Sequence, residues 1–151
     1  MILATEELWL EPPHPGMIVV TTNSYIKDNG RLVMGRGAAL QATQHVAADI
    51  ALECGRAIDL SGSKYGFLEI RSPYREGKIG FGIFQVKHHW KKPASLELIE
   101  HAVQKLNEYC EAHPDLTIRM NFPGIGNGQL QYDDVLPIVE QINDQVVVCR
   151  K

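Results

Sequence analysis

Asn121-Phe122-Pro123-Gly124-Ile125-Gly126-Asn127-Gly128 decides how the chain is read. Leu116 to Asn121 is strand-like and the residues beyond Gln131 are helix-like, so the stretch is a glycine loop between a strand and a helix. A second loop of the same kind lies upstream, in Val33-Met34-Gly35-Arg36-Gly37-Ala38-Ala39-Leu40-Gln41. At such a junction the first backbone N–H groups of the helix have no partner inside it. Glycine lets those amides come into contact with phosphate oxygens. Two such loops on one small domain can clamp a diphosphate from opposite sides, which points to a nucleotide-diphosphate ligand. The plainer reading of the glycines is as tight turns, and Asn127 equally suits a left-handed turn position.

Outward from these loops, strands and helices alternate. Residues 1–10 suggest a short strand or two around Ala4-Thr5-Glu6-Glu7, then the apolar Leu8, Trp9 and Leu10. Met17 to Thr22 is a continuous apolar and β-branched run that suits a strand buried on both faces. Leu40, Thr43, Ala47, Ile50 and Cys54 fall at three- and four-residue steps, predicting one helix from about Ala38 to Cys54 closed by Gly55. Gly66 to Ser72 and Lys78 to Lys87 form a hairpin across Pro73-Tyr74-Arg75-Glu76-Gly77. Ser95 caps a helix that runs to about Ala112 on the stripe Ile99, Ala102, Val103, Leu106, Tyr109 and Cys110. Asp133 caps the next helix, with Pro137 early enough to be tolerated, and Val146 to Cys149 is the last strand. The fold class is α/β: a three-layer α/β/α sandwich with a mixed central sheet. In such sheets ligands sit beyond the C-terminal strand ends, where both glycine loops fall.

The 151 residues suit a single domain spanning 1–151, enough to bury roughly two-thirds of the surface of the unfolded chain. A net charge of −3 and a pI near 6.0 argue against tight, indiscriminate nucleic-acid binding, so any such contact is local. Cys54, Cys110 and Cys149 are odd in number and widely spaced, which fits a reduced, cytoplasmic protein. No secretory signal and no run of ~20 apolar residues is evident, so no membrane partner is expected. A monomer is expected.

With these segments in hand, the chain resembles the macro domain family, whose members bind or process ADP-ribose. The resemblance rests on the strand ending in Asn23, on VMGRGAALQ, on IFQVKHHWKKPASLELI, and on PGIGNGQL with Gln131-Tyr132-Asp133-Asp134-Val135. The third segment is similar to the branch of the DNA-ADP-ribosylation antitoxins and the terminal ADP-ribose glycohydrolase. That similarity implies a catalytic lysine at Lys87. It also implies a first ligand loop through Val33, Met34, Gly35, Arg36, Gly37 and Ala38, and a second through Pro123, Gly124, Ile125, Gly126, Asn127 and Gly128. Asn23 is implied at the distal ribose, Glu7 and Leu8 at the adenine, and His89 in the substrate pocket. Where the glutamate-directed glycohydrolase carries a carboxylate this chain has Gly128, which moves the resemblance towards the DNA-directed type.

Lys87 has two readings. As a nucleophile its amine attacks the anomeric carbon of the distal ribose and forms a Schiff base that water resolves. As an ordinary strand-end lysine it is solvated. His88 and His89 are adjacent on an extended segment and point to opposite sides, and no third ligand stands at metal spacing, so no metal and no cofactor is expected. Trp90 is either a core aromatic or a surface on which a nucleobase stacks. The function expected is an ADP-ribose-binding hydrolase acting on a modified macromolecule, thymidine in single-stranded DNA among the substrates. The alternatives are a binding module without turnover and a phosphatase of ADP-ribose phosphate using His89.

Overall fold

The computed structural model describes residues 1–62, 66–75 and 78–150. Its strands are β1 (Ile2–Ala4), β2 (Gly16–Thr22), β3 (Phe67–Arg71), β4 (Gly80–Gln85), β5 (Thr117–Asn121) and β6 (Val146–Cys149). The α-helices of the described residues are α1 (Ala38–His45), α2 (Ile50–Ser61), α3 (Leu96–Ala112) and α4 (Tyr132–Val139). The strands form one sheet in the order β1-β6-β5-β2-β4-β3. Neighbours run parallel except β3 and β4, which pair antiparallel. The mixed sheet is therefore a parallel array with one reversed edge strand. Of the turn expected between β3 and β4, Glu76 and Gly77 lie outside the described residues.

β2 occupies the middle of the sheet because its side chains are apolar on both sides. Met17 and Val19 face α3 and α4, in a core with Leu106, Ile118, Val135 and Val148. Ile18 and Val20 face α1 and α2, in a core with Leu32, Ala42, Ile50 and Phe81. A strand that alternates between two dry cores is what a run of Met, Ile and Val without polar breaks specifies. Three layers follow, helices on either side of the sheet, as expected.

α3 begins as read: the Ser95 hydroxyl oxygen accepts from the Leu98 N–H at 3.2 Å. Two helices differ from expectation. The single helix over Ala38–Cys54 is two helices, α1 ending at His45 and α2 starting at Ile50. Its supposed stripe merged two separate faces: α1 buries Ala39 and Ala42 while Leu40 stays 48% exposed, and α2 buries Ile50, Cys54 and Ile58. Gly55 is not a terminator. It lies inside α2, where the helix runs against the Gly30 carbonyl with no room for a side chain. The cap of α4 is Gln131, with no side-chain cap bond, and Asp133 and Asp134 occupy the first turn, where the helix dipole favours a carboxylate.

β1 covers only Ile2–Ala4; Thr5, Glu6 and Glu7 form a loop instead. Arg119, buried on β5, holds that loop by donating to the Glu6 carboxylate at 2.5 Å, to the Leu8 carbonyl at 3.2 Å and to the Glu7 carbonyl. Among the described residues no helix is long and apolar enough to cross a membrane.

Candidate functional site

β2 and β5 pair from Gly16↔Thr117 to Val19↔Met120 and then part. Past that point the Asn121 side chain replaces the ladder, accepting from the Thr21 N–H at 3.0 Å and donating to the Thr21 hydroxyl at 2.8 Å. On its other side β2 stays paired with β4 as far as Thr22↔Gln85. The fork opens a crevice at the C-terminal ends of the strands, and a cavity of about 620 Å³ fills it. That size suits a ligand of a few tens of heavy atoms.

The first glycine loop forms one wall. Gly37 precedes α1 with a φ of 70°, a left-handed conformation that an L side chain rarely adopts, and no side chain caps the helix behind it. Open N–H groups at a helix start suit an anion. The second glycine loop forms the opposite wall. It enters a 3₁₀ turn over Gly126–Gly128 before α4 begins, rather than passing straight into a helix. Gly124 has a φ of 80°, and a Cβ there would lie 2.7 Å from Ile99 Cδ1, so the loop is packed tightly on α3. The walls approach each other: the Cβ position of Gly37 is 3.8 Å from Asn127 Nδ2.

Lys87 bridges the crevice. Its ammonium donates to the Asn127 carbonyl at 2.8 Å. The backbone just before it is held from two sides: the Val86 N–H donates to Thr22 O at 2.9 Å, and the Ser95 N–H to Val86 O at 2.8 Å. The Ser24 hydroxyl donates to the Lys87 carbonyl at 2.7 Å. Buried Gln85 supports that hydroxyl, donating to Ser24 Oγ at 2.6 Å while its carbonyl accepts from the Gly66 N–H at 3.0 Å. Arg36, Lys87, Lys91 and Lys92 line the cavity, and among the described residues no Asp or Glu does. In a chain of net charge −3 this concentrates positive potential at one place, suited to an anionic ligand.

Solved structures share this fold. The macrodomain of Thermus aquaticus DarG superposes with a TM-score of 0.77 at 24% identity, over 99% of this chain and 97% of that one. The macrodomain of Mycobacterium tuberculosis DarG gives 0.74 at 19% identity, over 99% and 97%. The fold is that of a macrodomain. Thermosipho africanus DarTG in complex with ADP-ribose gives 0.71 at 18% identity, over 97% of this chain and 40% of that one. No family model matches the chain, and no curated protein matches it in sequence.

Within this macrodomain fold, the expected residues that line the cavity are Asn23, Met34, Gly35, Arg36, Gly37, Ala38, Lys87, Gly124, Ile125, Gly126, Asn127 and Gly128. Asn23 does so with its amide already engaged, donating to Val33 O at 2.8 Å and accepting from the Tyr25 N–H at 2.9 Å. Five expected residues are outside the lining: Glu7, Leu8, Val33, His89 and Pro123. The carbonyls of Glu7 and Leu8 are held by Arg119, and His89 Nδ1 accepts from the Lys91 N–H at 3.1 Å. The lining also contains Thr21, Thr22, Ala39, Val86, Trp90, Lys91, Lys92, Asn121, Phe122 and Gln129. Thr21-Thr22 and Asn121, polar residues at the ends of two strands, carry no motif that marks them as lining before the strand order is known.

Proposed function

We propose that this macrodomain binds ADP-ribose in the crevice and releases it hydrolytically from a modified macromolecule, with Lys87 as the nucleophile. The observation that carries the reading is the Lys87 amine, fixed at a strand end and reaching across the crevice to the second glycine loop, in a cavity lined by cations and, among the described residues, by no carboxylate. The two loops receive the diphosphate. Lys87 lines the same cavity as Asn23 and the first loop, where the resemblance to the antitoxin branch puts the distal ribose.

The reaction begins when the Lys87 ammonium gives up a proton and leaves the Asn127 carbonyl. The nitrogen lone pair then forms a bond to the anomeric carbon, and the bond from that carbon to the attached base breaks. The base takes the electron pair and, in balance, a proton. The sugar ring opens as the C–N bond becomes a protonated imine; water adds to it, the amine leaves, and free ADP-ribose closes again. Arg36 holds the phosphates while this proceeds. The preferred substrate is ADP-ribosylated thymidine in single-stranded DNA, as the resemblance and Gly128 suggest. The protein acts as a cytoplasmic monomer.

The test is release of free ADP-ribose from an ADP-ribosylated thymidine oligonucleotide by the wild type, Lys87→Ala and Lys87→Arg. Release by the wild type and its loss in both variants is expected, and full turnover by Lys87→Ala overturns the assignment. A binding-only reading has one observation in its favour: the hydrogen bond to Asn127 makes Lys87 a strut between the end of β4 and the second glycine loop. In that case the wild type releases nothing while Lys87→Ala binds ADP-ribose more weakly. The phosphatase reading has no such support, since His89 is outside the lining.

A further inference from the structure

Three aromatic rings lead away from the mouth of the cavity. Trp90 lines the cavity and is 47% exposed. His89 stacks beside it, with ring centroids 5.6 Å apart and planes inclined by 26°. Tyr25, 40% exposed, meets His89 at 4.7 Å and 60°. The rings come from two separate segments. Trp90 and His89 belong to the loop after β4, while Tyr25 belongs to the arm before the first glycine loop, pinned through Tyr25 N–H to Asn23 and Val33 N–H to Tyr25 O. Lys91 Nζ lies 5.1 Å from the centre of the Trp90 ring.

Packing alone does not account for this row, because about half of Trp90 and two-fifths of Tyr25 face water. The volume of the cavity sets a second constraint. About 620 Å³ accommodates one ADP-ribose-sized ligand and no polymer, so whatever carries the adduct must leave across the rim. That rim combines exposed aromatic faces with Lys91 and Lys92. Flat rings beside cations are the chemistry that binds single-stranded nucleic acid, because every base has a face to stack and every linkage a charge to neutralise. A protein chain leaving by the same route would meet cations without any need for a row of flat rings.

We infer that Tyr25, His89 and Trp90 form a stacking platform for the unmodified nucleotides that flank the modified one on a single strand. The inference rests on the reading of the crevice as an ADP-ribose site and names how that site selects its substrate: the enzyme recognises a strand, not a lone modified nucleotide. Trp90 takes the base next to the adduct, and Tyr25 takes one further out.

The test compares three probes: free ADP-ribose, a single ADP-ribosylated thymidine nucleotide, and a short thymidine-containing oligonucleotide carrying the same adduct, each titrated against wild type, Tyr25→Ala, Tyr25→Phe and Trp90→Ala. Cleavage is blocked with the Lys87→Ala background so that binding is read. Tyr25 does not line the cavity, so Tyr25→Ala should bind ADP-ribose and the single nucleotide as the parent does and bind the oligonucleotide about tenfold more weakly. Tyr25→Phe should restore the oligonucleotide affinity, since the ring face is kept. Parallel ribo- and deoxyribo-oligonucleotides tell which strand the platform prefers. Oligonucleotide affinity equal to that of the single nucleotide in the parent, or unchanged in both alanine variants, overturns the platform while leaving the crevice reading intact. Absence of ADP-ribose binding in the wild type removes both. An ADP-ribosylated peptide bound as tightly as the oligonucleotide also overturns the platform.

Discussion

Gly55→Ala tests the packing on which the first glycine loop depends. An ideal Cβ at position 55 would lie 1.9 Å from the Gly30 carbonyl oxygen, 3.0 Å from the Gly30 carbonyl carbon and 3.3 Å from the Leu32 nitrogen. All three obstacles are backbone, so no side chain can swing aside and α2 or the arm at 30–32 must shift by more than ~1 Å to regain ordinary contact. Three terms set the size of the effect. Alanine is better than glycine in a helix interior by about 1 kcal/mol. Overpacking costs about 1–3 kcal/mol, and rigid backbone puts this case at the upper end. The hydrogen bond from Leu32 N–H to Ala51 O, 3.0 Å long, is pulled apart at a further ~1 kcal/mol. The net destabilisation is about 3 kcal/mol. For a domain of this length each kcal/mol moves the midpoint by about 2–4 °C, so thermal unfolding followed by circular dichroism should show Tm lowered by about 6–12 °C. ADP-ribose affinity should fall as well, because residues 30–32 lead directly into the loop at Met34–Gly37. A Tm that is unchanged, or raised as helix propensity alone would raise it, refutes the close approach of α2 to Gly30.

Two further outcomes follow from the crevice and the core. Asn121→Ala leaves the Thr21 N–H and hydroxyl without their partners, and should lower stability by about 1–3 kcal/mol in urea unfolding and weaken ADP-ribose binding; Asn121→Asp keeps the acceptor for Thr21 N–H, so it should cost less stability but more affinity by bringing a negative charge to the anion. Equal stability of Asn121→Ala and the wild type would show that the fork does not need this wedge. Burial pushes the Cys54 thiol up to about 12 and the Cys110 thiol up to about 11, from an ordinary 9.0. A group whose folded pKa is raised stabilises the fold below its unfolded pKa and loses that contribution as pH climbs to the folded value. Stability should therefore fall between about pH 9 and 12, by up to about 1.4 kcal/mol per pH unit for each thiol. Urea midpoints measured on both sides of pH 9 should decline less steeply in the Cys54→Ala, Cys110→Ala double variant; an identical decline removes the thiols as the cause.

The parts of this fold that could be read from the chain are those written in consecutive residues. Met17–Thr22 declares a strand buried on both faces because every residue from Met17 to Val20 has a dry neighbour on one side or the other. Ser95 declares a helix start because its hydroxyl can only reach an N–H three residues on. The break between α1 and α2 was hidden because periodicity counts spacing and not which face meets the sheet: Leu40 fits the spacing and points outward. Gly55 looked like a stop signal because its actual partner, Gly30, is a tertiary neighbour. The same limit governs the site. The glycine loops and Lys87 were visible as local motifs. Thr21 and Asn121 were not, since a polar residue at the end of a strand acquires meaning only when the strand order sets β2 beside β5, one hundred positions away. Glu7 and Leu8 fall outside the cavity lining because Arg119, reaching from β5, draws their carbonyls to itself.

Charge gives the clearest case of a whole-chain quantity that misleads until the fold sorts it. At −3 the protein as a whole repels a polyanion. Arg36 arrives with the first glycine loop, Lys87 with the end of β4, and Lys91 and Lys92 with the loop that follows, and the parallel sheet delivers all of them to one end of its strands. Among the described residues no carboxylate enters the lining. At physiological salt a charge is felt over about 8 Å, so an anion entering the crevice responds to the rim it touches and hardly to acidic residues on distant faces. The acidic remainder then acts against indiscriminate binding: under the proposed function, a strand without an adduct gains only the rim contacts, while one that fills the cavity gains the loops as well. If the crevice takes the adduct as proposed, selectivity for a modified strand over unmodified nucleic acid follows from placing a few cations at one site on an otherwise acidic protein.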